Sequence, residues 1–354
     1  FSDSTNGALL LEGQSTNLVN YSQDFSQHSI LGGTITSDDI VSPDGGINAD
    51  TFVEDTANSQ HRIRKDINVT AGTYTMSCFI KGTDRFISFY PQIAGNAFAV
   101  FDIANTTITK TGGSNYVDSN IQNYGNGWFR CILTYTVSTG TSALHIYLSN
   151  LSTGAGAEAP RYTGNGSEMS FYALQLEALS YPTSYIPTTG ASQTRARDLC
   201  DTQNLSSLIG QTEGVIFYDA ILVYKSTDTS QDLFELSIDD GSNQNFFFLN
   251  NYNNTLVVGM KNGGSTQFTN NSFNPTEGAR YKLAFAYKQN DFALYINGNQ
   301  ISTDLSGTVP AMNQITFGNY YNNDINLSNS VKVNDFRLFK TRLTNAQLQT
   351  LTTL

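Results

Sequence analysis

Hydrophobic and polar residues alternate along most of the chain. TYTMSCFIK (73–81), DRFISFYPQIAG (84–95), NAFAVFDI (96–103), WFRCILTYTV (128–137), ALHIYLSN (143–150) and MSFYALQLEA (169–178) follow a period of two, as strands with one buried face do. Gly, Asn, Ser and Thr clusters separate them, which is turn chemistry. The texture returns in GVIFYDAILVYK (214–225), LFELSID (233–239), NFFFLNNY (245–252), TLVVGMK (255–261), YKLAFAYKQNDFALYINGNQIS (281–302), QITFGNY (314–320) and VKVNDFRLFK (331–340). Asn297-Gly298 is the strongest hairpin signal. Only the end changes period: Leu343, Ala346, Leu348 and Leu351 follow helical spacing behind a Thr344 N-cap, predicting a helix over 344–351. With no long helix between strands, the pattern predicts an all-β protein of two tandem antiparallel β-sandwich (jelly-roll) domains with a short C-terminal helix.

One stretch breaks the pattern. SYPTSYIPTTGASQTRARD (180–198) carries Pro182 and Pro187, which forbid a central strand and favour an extended tether. It divides the chain into a domain over 1–190, a linker over 191–210 and a domain over 211–354. Tyr185 and Ile186 are its expected anchors on the first domain. A length of 354 residues suits two domains, each able to bury a core.

Composition narrows the class. Charged residues make up 14% of the chain, against about 25% in an average globular domain. The net charge is −11. With no basic stripe, nucleic acid is excluded as the expected partner, and so is an anionic membrane surface. No apolar run reaches membrane-spanning length. The first residue is Phe1, so the chain reads as a processed or truncated piece. Three cysteines do not make a disulfide framework. Cys78 and Cys131 alternate with apolar neighbours and read as small core residues.

Three blocks carry a resemblance: LLLEGQSTNLVNYSQDFS near the start, GNGWFRC at 125–131, and YTGNGSEMSFYALQLEALSYPTSYIPTTGASQTRARD at 162–198. In this order they resemble the carbohydrate-binding-module-like jelly roll of tailed-phage tail-fibre and tail-spike proteins, over about residues 8–200. SQHSILGG stands where relatives often have a Trp. Residues 205–354 resemble, more weakly, the concanavalin-A-like lectin/laminin-G-like sandwich, through FALYINGNQIS, ITFGN and VNDFRLFKTRLTNAQLQTL. The resemblance implies a virion-surface protein that binds a polysaccharide or cell-surface glycan, contacts other virion proteins and forms a homotrimer. It also implies a structural calcium. Oxygen ligands suit this hard cation, and Glu12 and Glu177, on the expected first and last strands of the first domain, are the candidates. Pairing with Arg62 or Arg64, or exposure, is the alternative for these two.

No catalytic motif is visible. Glu235 and Asp239 share strand parity, but Ser237 stands where a middle carboxylate would be and Asp240-Gly241 reads as a turn, so this stretch is expected to be a strand end and not an acid/base pair. His28, His61 and His145 lack metal-ligand spacing. Strand parity gives a glycan candidate. Tyr74, Met76, Cys78, Ile80, Phe129, Cys131, Leu133, Ile146, Leu148, Tyr172, Leu174 and Leu176 form the expected core face. The opposite face gathers Phe79, Lys81, Trp128, Arg130, His145, Tyr147 and Gln175, with Phe171. Aromatic rings stack on sugars and planar polar groups bond hydroxyls, so these seven are the expected glycan-binding residues, Lys81 and Arg130 favouring anionic sugars. Asn-rich loops at 250–254, 269–272 and 319–324, with Tyr252, Tyr320 and Tyr321, are the second candidate. The function expected is a non-enzymatic phage virion appendage that binds host or environmental glycans. The alternatives are a structural spacer or decoration protein touching only virion partners, and a polysaccharide-degrading enzyme without a visible catalytic motif.

Overall fold

The computed structural model describes residues 7–92, 96–224, 233–242, 244–252, 255–318 and 330–354. The chain divides into two compact units, Ser15–Arg195 and the described residues up to Gln14 together with Ala196–Leu354. Residues 7–14 therefore belong to the second unit, whereas the 1–190 boundary assigns them to the first. Leu9–Leu11 pairs antiparallel with Ser330–Phe339 and adds an edge strand to the second unit. Within the expected 191–210 linker, Gln193–Arg195 pairs with Ser15–Asn17 and Cys200–Thr202 pairs with Gln314–Phe317.

Each unit holds two six-stranded sheets. In the first unit, one sheet runs Tyr116–Gly125, Trp128–Val137, Gly72–Lys81, Glu168–Glu177, Ile47–Glu54 and Gly33–Val41. The other runs Thr107–Gly112, Phe98–Asp102, Phe86–Phe89, Gly140–Ser149, His61–Val69 and Ser29–Leu31. Inward side chains of both, among them Phe52, Met76, Cys78, Phe89, Phe101, Cys131, Leu133, Ile146 and Phe171, form one core. Cys78 and Cys131 face each other across adjacent strands as free, fully buried thiols. Burial pushes both thiols up, away from reactivity. Gly125, Asn126 and Gly127 all take positive φ, so the GNG of GNGWFRC is a hairpin corner built from residues that tolerate left-handed backbone.

In the second unit, the sheet Cys200–Thr202, Gln314–Phe317, Leu233–Asp239, Phe246–Tyr252, Thr255–Asn262 and Ser265–Phe273 faces one containing Glu213–Tyr224, Arg280–Lys288 and Phe292–Ile296. Their core gathers Ile216, Leu236, Phe247, Leu249, Leu283, Phe285 and Leu294. Asn297 and Gly298 take φ of 50° and 78°, the left-handed pair that a two-residue hairpin requires. The helix Asn345–Thr352 starts with a full capping box between Thr344 and Gln347. Its Leu348 is buried against Val215, Phe217, Ala284 and Ala293 on the outward side of the second sheet.

The proline segment is ordered and packed on the first sandwich. Ile186 is buried, and the Tyr185 ring lies 5.5 Å from that of Tyr172. Its polar atoms meet the outward face of the sheet in one cluster around Glu177. Oε1 of this fully buried carboxylate accepts hydrogen bonds from Ser15 Oγ (2.6 Å) and Thr183 Oγ1 (2.5 Å). Oε2 accepts from Gln175 Nε2 (2.8 Å) and the Thr183 amide (3.0 Å). Gln175 Oε1 accepts from the Ile186 amide, and Arg130 Nη2 donates to the Thr183 carbonyl and Ser77 Oγ. Asn17 donates to the Ile186 carbonyl, and Ser22 and Thr188 bond each other through backbone and side chains. Removing the carboxylate would strand four buried donors, each lost bond to a charged group being worth about 1.5–3 kcal/mol. We therefore expect Glu177→Ala to lower the urea-unfolding free energy of the first unit by at least about 3 kcal/mol. Glu177→Gln, which keeps an acceptor oxygen, should recover a large part of that loss. Equal stability of Glu177→Ala and the parent would refute the cluster's role.

Candidate functional site

The seven expected glycan residues do not form one surface. Phe79, Arg130 and Gln175 lie on the outward face of one sheet of the first sandwich, with Lys81 and Trp128. His145 and Tyr147 lie on the outward face of the other sheet, since Leu144, Ile146 and Leu148 between them enter the core. Two opposite sides of a sandwich cannot grip one sugar. Nor is the first group open to a ligand. Phe79, Trp128, Arg130 and Gln175 are buried, because the chain covers its own sheet. Trp128 Nε1 donates to the Val41 carbonyl at 3.1 Å, Tyr124 meets Phe79 edge-on at 4.8 Å, and the 183–186 segment occupies Arg130 and Gln175. Lys81 stays half-buried, its Nζ 6.0 Å from the Trp128 ring. His145 and Tyr147 are buried too, beside Arg62.

A bulge also exchanges two expected faces. Phe171 enters the core, while Tyr172 turns outward to donate to Asp44 at 2.6 Å. The register of Glu168–Glu177 slips between Tyr172 and Gln175, and Ala173 sits there at φ 59°. One extra residue inverts parity on one side of it.

Glu12 and Glu177 fall in different units. Both oxygens of Glu177 are filled by protein donors, a set of N–H and O–H groups that compensates the carboxylate and repels a cation. A calcium ion does not fit that donor set. Arg62 and Arg64 are not its partners either; they bond His145 and Asp66. Among the described residues no group of three or more His, Cys, Asp or Glu is arranged to hold a metal. Nor is any helix long and apolar enough to cross a membrane.

Glu235 and Asp239 separate in the same way. The register slips between Phe234 and Leu236. The buried Glu235 accepts a hydrogen bond from the core residue Tyr281 at 2.5 Å. Asp239 faces outward and accepts from Ser237 Oγ (2.6 Å), the Gly241 amide (2.8 Å) and Gln314. The two carboxylates lie on opposite faces of one sheet.

That outward face is the arrangement parity reasoning missed. Register places Asp201 beside Thr316, Thr316 beside Ser237, Ser237 beside Phe248 and Phe248 beside Gly259. The neighbouring row is Gln314, Asp239, Phe246 and Lys261. Phe248 lies over the bare backbone of Gly259, where a Cβ would come within 2.2 Å of the ring. Its ring stands 5.4 Å from that of Phe246. At the edge of the sheet, Leu199, Asp201, Thr202, Gln203, Gly241, Gln314 and Thr316 enclose a cleft of about 380 Å³. Hydroxyls, amides and a carboxylate line it, so it can both donate to and accept from a polyhydroxylated ligand. Of the Asn/Tyr loops, residues 253–254 and 319–324 lie outside the described residues, as does the Tyr252 side chain.

Residues 222–349 match the family described as the Concanavalin A-like lectin/glucanases superfamily. No curated protein matches the chain. Solved structures similar to the chain include the Ruminococcus gnavus IT-sialidase CBM40, at 16% identity over 40% of this chain and 84% of that one, with a TM-score of 0.32. The SAP-like pentraxin from Limulus polyphemus is 14% identical over 40% of this chain and 70% of that one, with a TM-score of 0.32. The botulinum neurotoxin serotype D binding domain is 13% identical over 44% of this chain, with a TM-score of 0.36; the chain spans only 40% of that domain. These distant likenesses carry no functional argument.

Two buried histidines make the first sandwich acid-sensitive. His145 is lowered from 6.5 to about 4 by burial and by Arg62 and Arg64. His28 is lowered from 6.5 to about 4 by burial and by Lys65. The unfolded chain takes up protons below about pH 6.5 that the folded one refuses until about pH 4, so stability falls with pH through that window. Each histidine contributes on the order of 2–3 kcal/mol of this loss across the window. We expect the urea midpoint of the first unit to fall between pH 6.5 and 5, before most carboxylates titrate, and His145→Gln with His28→Gln to flatten the fall. An equal slope in the double variant would contradict this.

Proposed function

We propose that the chain is a non-enzymatic, glycan-binding appendage protein of a phage virion, displayed on the virion surface. The observation that carries the binding role is the polar cleft at Asp201, Gln203, Gln314 and Thr316. It lies in the sandwich most of whose sequence matches a lectin/glucanase family. The separation of Glu235 from Asp239 supports a binding role over hydrolysis, which needs two carboxylates facing one sugar. The virion setting rests on the resemblance of the LLLEGQSTNLVNYSQDFS, GNGWFRC and YTGNGSEMSFYALQLEALSYPTSYIPTTGASQTRARD blocks to tail-fibre and tail-spike jelly rolls. Other virion proteins, and two further copies in a homotrimer, are the partners this setting implies. A shallow cleft binds weakly, in roughly the micromolar to millimolar range, so several copies on one appendage would supply the effective concentration attachment needs.

The covered outward sheet of the first sandwich favours one competing reading, a spacer that touches only virion proteins. Glycan-array binding of the whole chain separates the two. We expect array-positive glycans to lose about tenfold in affinity with Asp201→Ala or Gln203→Ala, one hydrogen bond to a charged or polar group being worth about that much. Both side chains are exposed, so thermal stability should not move. An array without positives supports the spacer.

A further inference from the structure

We propose that the first sandwich carries its own saccharide site at one end of a sheet, and that this site selects uncharged and amino sugars over anionic ones. The proposal rests on the glycan-binding reading above, but on a different unit and different residues. Three neighbouring strands end together there. Ser149 stands opposite Phe86, and Asp102 flanks Phe86 on the other side, one step beyond the Phe101–Ile87 pair. Ile87 points into the core, so Phe86 points out. Its half-buried ring offers an apolar floor of the kind a pyranose C–H face stacks on.

Polar groups rise around this ring. Asp84, Arg85, Asp102, Asn105 and Asn150 join Phe86 in lining a cleft of about 220 Å³. That is below the roughly 300–1,000 Å³ of drug-sized pockets and suits about one sugar ring. Asp102 is held in place by its own turn. Its two oxygens accept from the Asn105 amide (3.0 Å) and Asn105 Nδ2 (2.8 Å). A carboxylate fixed in this way keeps lone pairs for two vicinal hydroxyls, bonds that charge assistance strengthens.

The sign of the cleft follows from where its one cation is spent. Arg85 is clamped by the buried Glu54 through Nε and Nη2, donates from Nη2 to Asn165 at 2.7 Å, and stacks over Tyr162. Glu54 is anchored in turn by Tyr162 Oη (2.8 Å) and the Asn165 amide (2.9 Å). With Arg85 neutralised from behind, Asp84 and Asp102 leave the cleft negative. An incoming carboxylate meets like charge, whereas hydroxyls and an ammonium group find acceptors. This reverses the preference for anionic sugars that Lys81 and Arg130 suggested from sequence, since Arg130 is buried.

Saturation-transfer NMR titrations of the whole chain with methyl glucoside, glucosamine and glucuronate test this. We expect millimolar binding of the first two and at least fivefold weaker binding of glucuronate. Phe86→Ala should weaken binding about tenfold, and Asp102→Asn should narrow the gap between glucosamine and glucuronate. Asp84→Asn, at an exposed position, repeats the charge test should Phe86→Ala unfold. Glucuronate binding as well as glucosamine overturns the proposal. So does binding that survives the Phe86, Asp84 and Asp102 substitutions but is lost in Asp201→Ala, and that outcome leaves the glycan reading intact. No binding of any sugar, with an empty glycan array, overturns both.

Discussion

The first sandwich depends on a carboxylate that no solvent reaches. Glu177 sits on the face of its sheet that points away from the core, where a side chain would ordinarily be hydrated. The proline segment lies over that face, so hydration has to be replaced bond for bond. Ser15, Gln175 and Thr183 do this with four donors, and Arg130 and Asn17 tie the segment's carbonyls down beside them. The arrangement joins two sequence blocks that stand far apart in the chain. STNLVNYSQDFS and SYPTSYIPTTG meet each other and QLEA at this cluster. Their shared chemistry is a clasp that closes the sandwich. A sequence signature as strong as this one marks structure here, and not a ligand site.

That distinction governs how much of the molecule is legible in its sequence. The class, the central strands, the Asn297-Gly298 hairpin and the capped helix follow directly from local rules, because each depends on neighbours within a few residues. The edge strands do not. Thr107–Gly112, Tyr116–Gly125 and Gly33–Val41 bury little on either side, so no alternation is imposed on them. Leu9–Leu11 shows the same limit at long range. Its partner lies more than 300 residues away, at Val331–Val333, and nothing local distinguishes it from a first strand of the nearer sandwich.

The candidate site was less legible, for a physical reason that recurs. Parity sorts side chains correctly only while the register is unbroken. Ala173 breaks it in one unit and Glu235 in the other. At Ala173 the exchange puts Phe171 into the core and Tyr172 outside. At Glu235 it draws a carboxylate inward to Tyr281, whose phenol is pushed up by burial and by that charge. Parity also says which face points outward, but not whether something covers it. Parity puts Trp128, Arg130 and Gln175 on the outward face, but their cover comes from residues 41 and 183–186.

Once the broad faces are assigned, the places left for a ligand are constrained. The outward face around Glu177 is consumed by the clasp. The opposite outward face buries His145 and Tyr147, with Arg62 held against both. In each unit a cleft opens where strands end and turns begin: Asp84, Asp102 and Asn105 line one, Asp201, Gln203 and Gly241 the other. Turn residues at such ends are Asp, Asn, Ser, Thr and Gly because backbone geometry requires them, and the same side chains are hydroxyl-bonding groups. A chain low in formal charge but rich in these residues therefore needs no dedicated binding face. Its turns supply acceptors, and in the first unit the outward ring of Phe86 stands beside them. In the first of these clefts the acidic excess sets the sign, since Arg85, the one arginine in its lining, is bound to the protein's own Glu54.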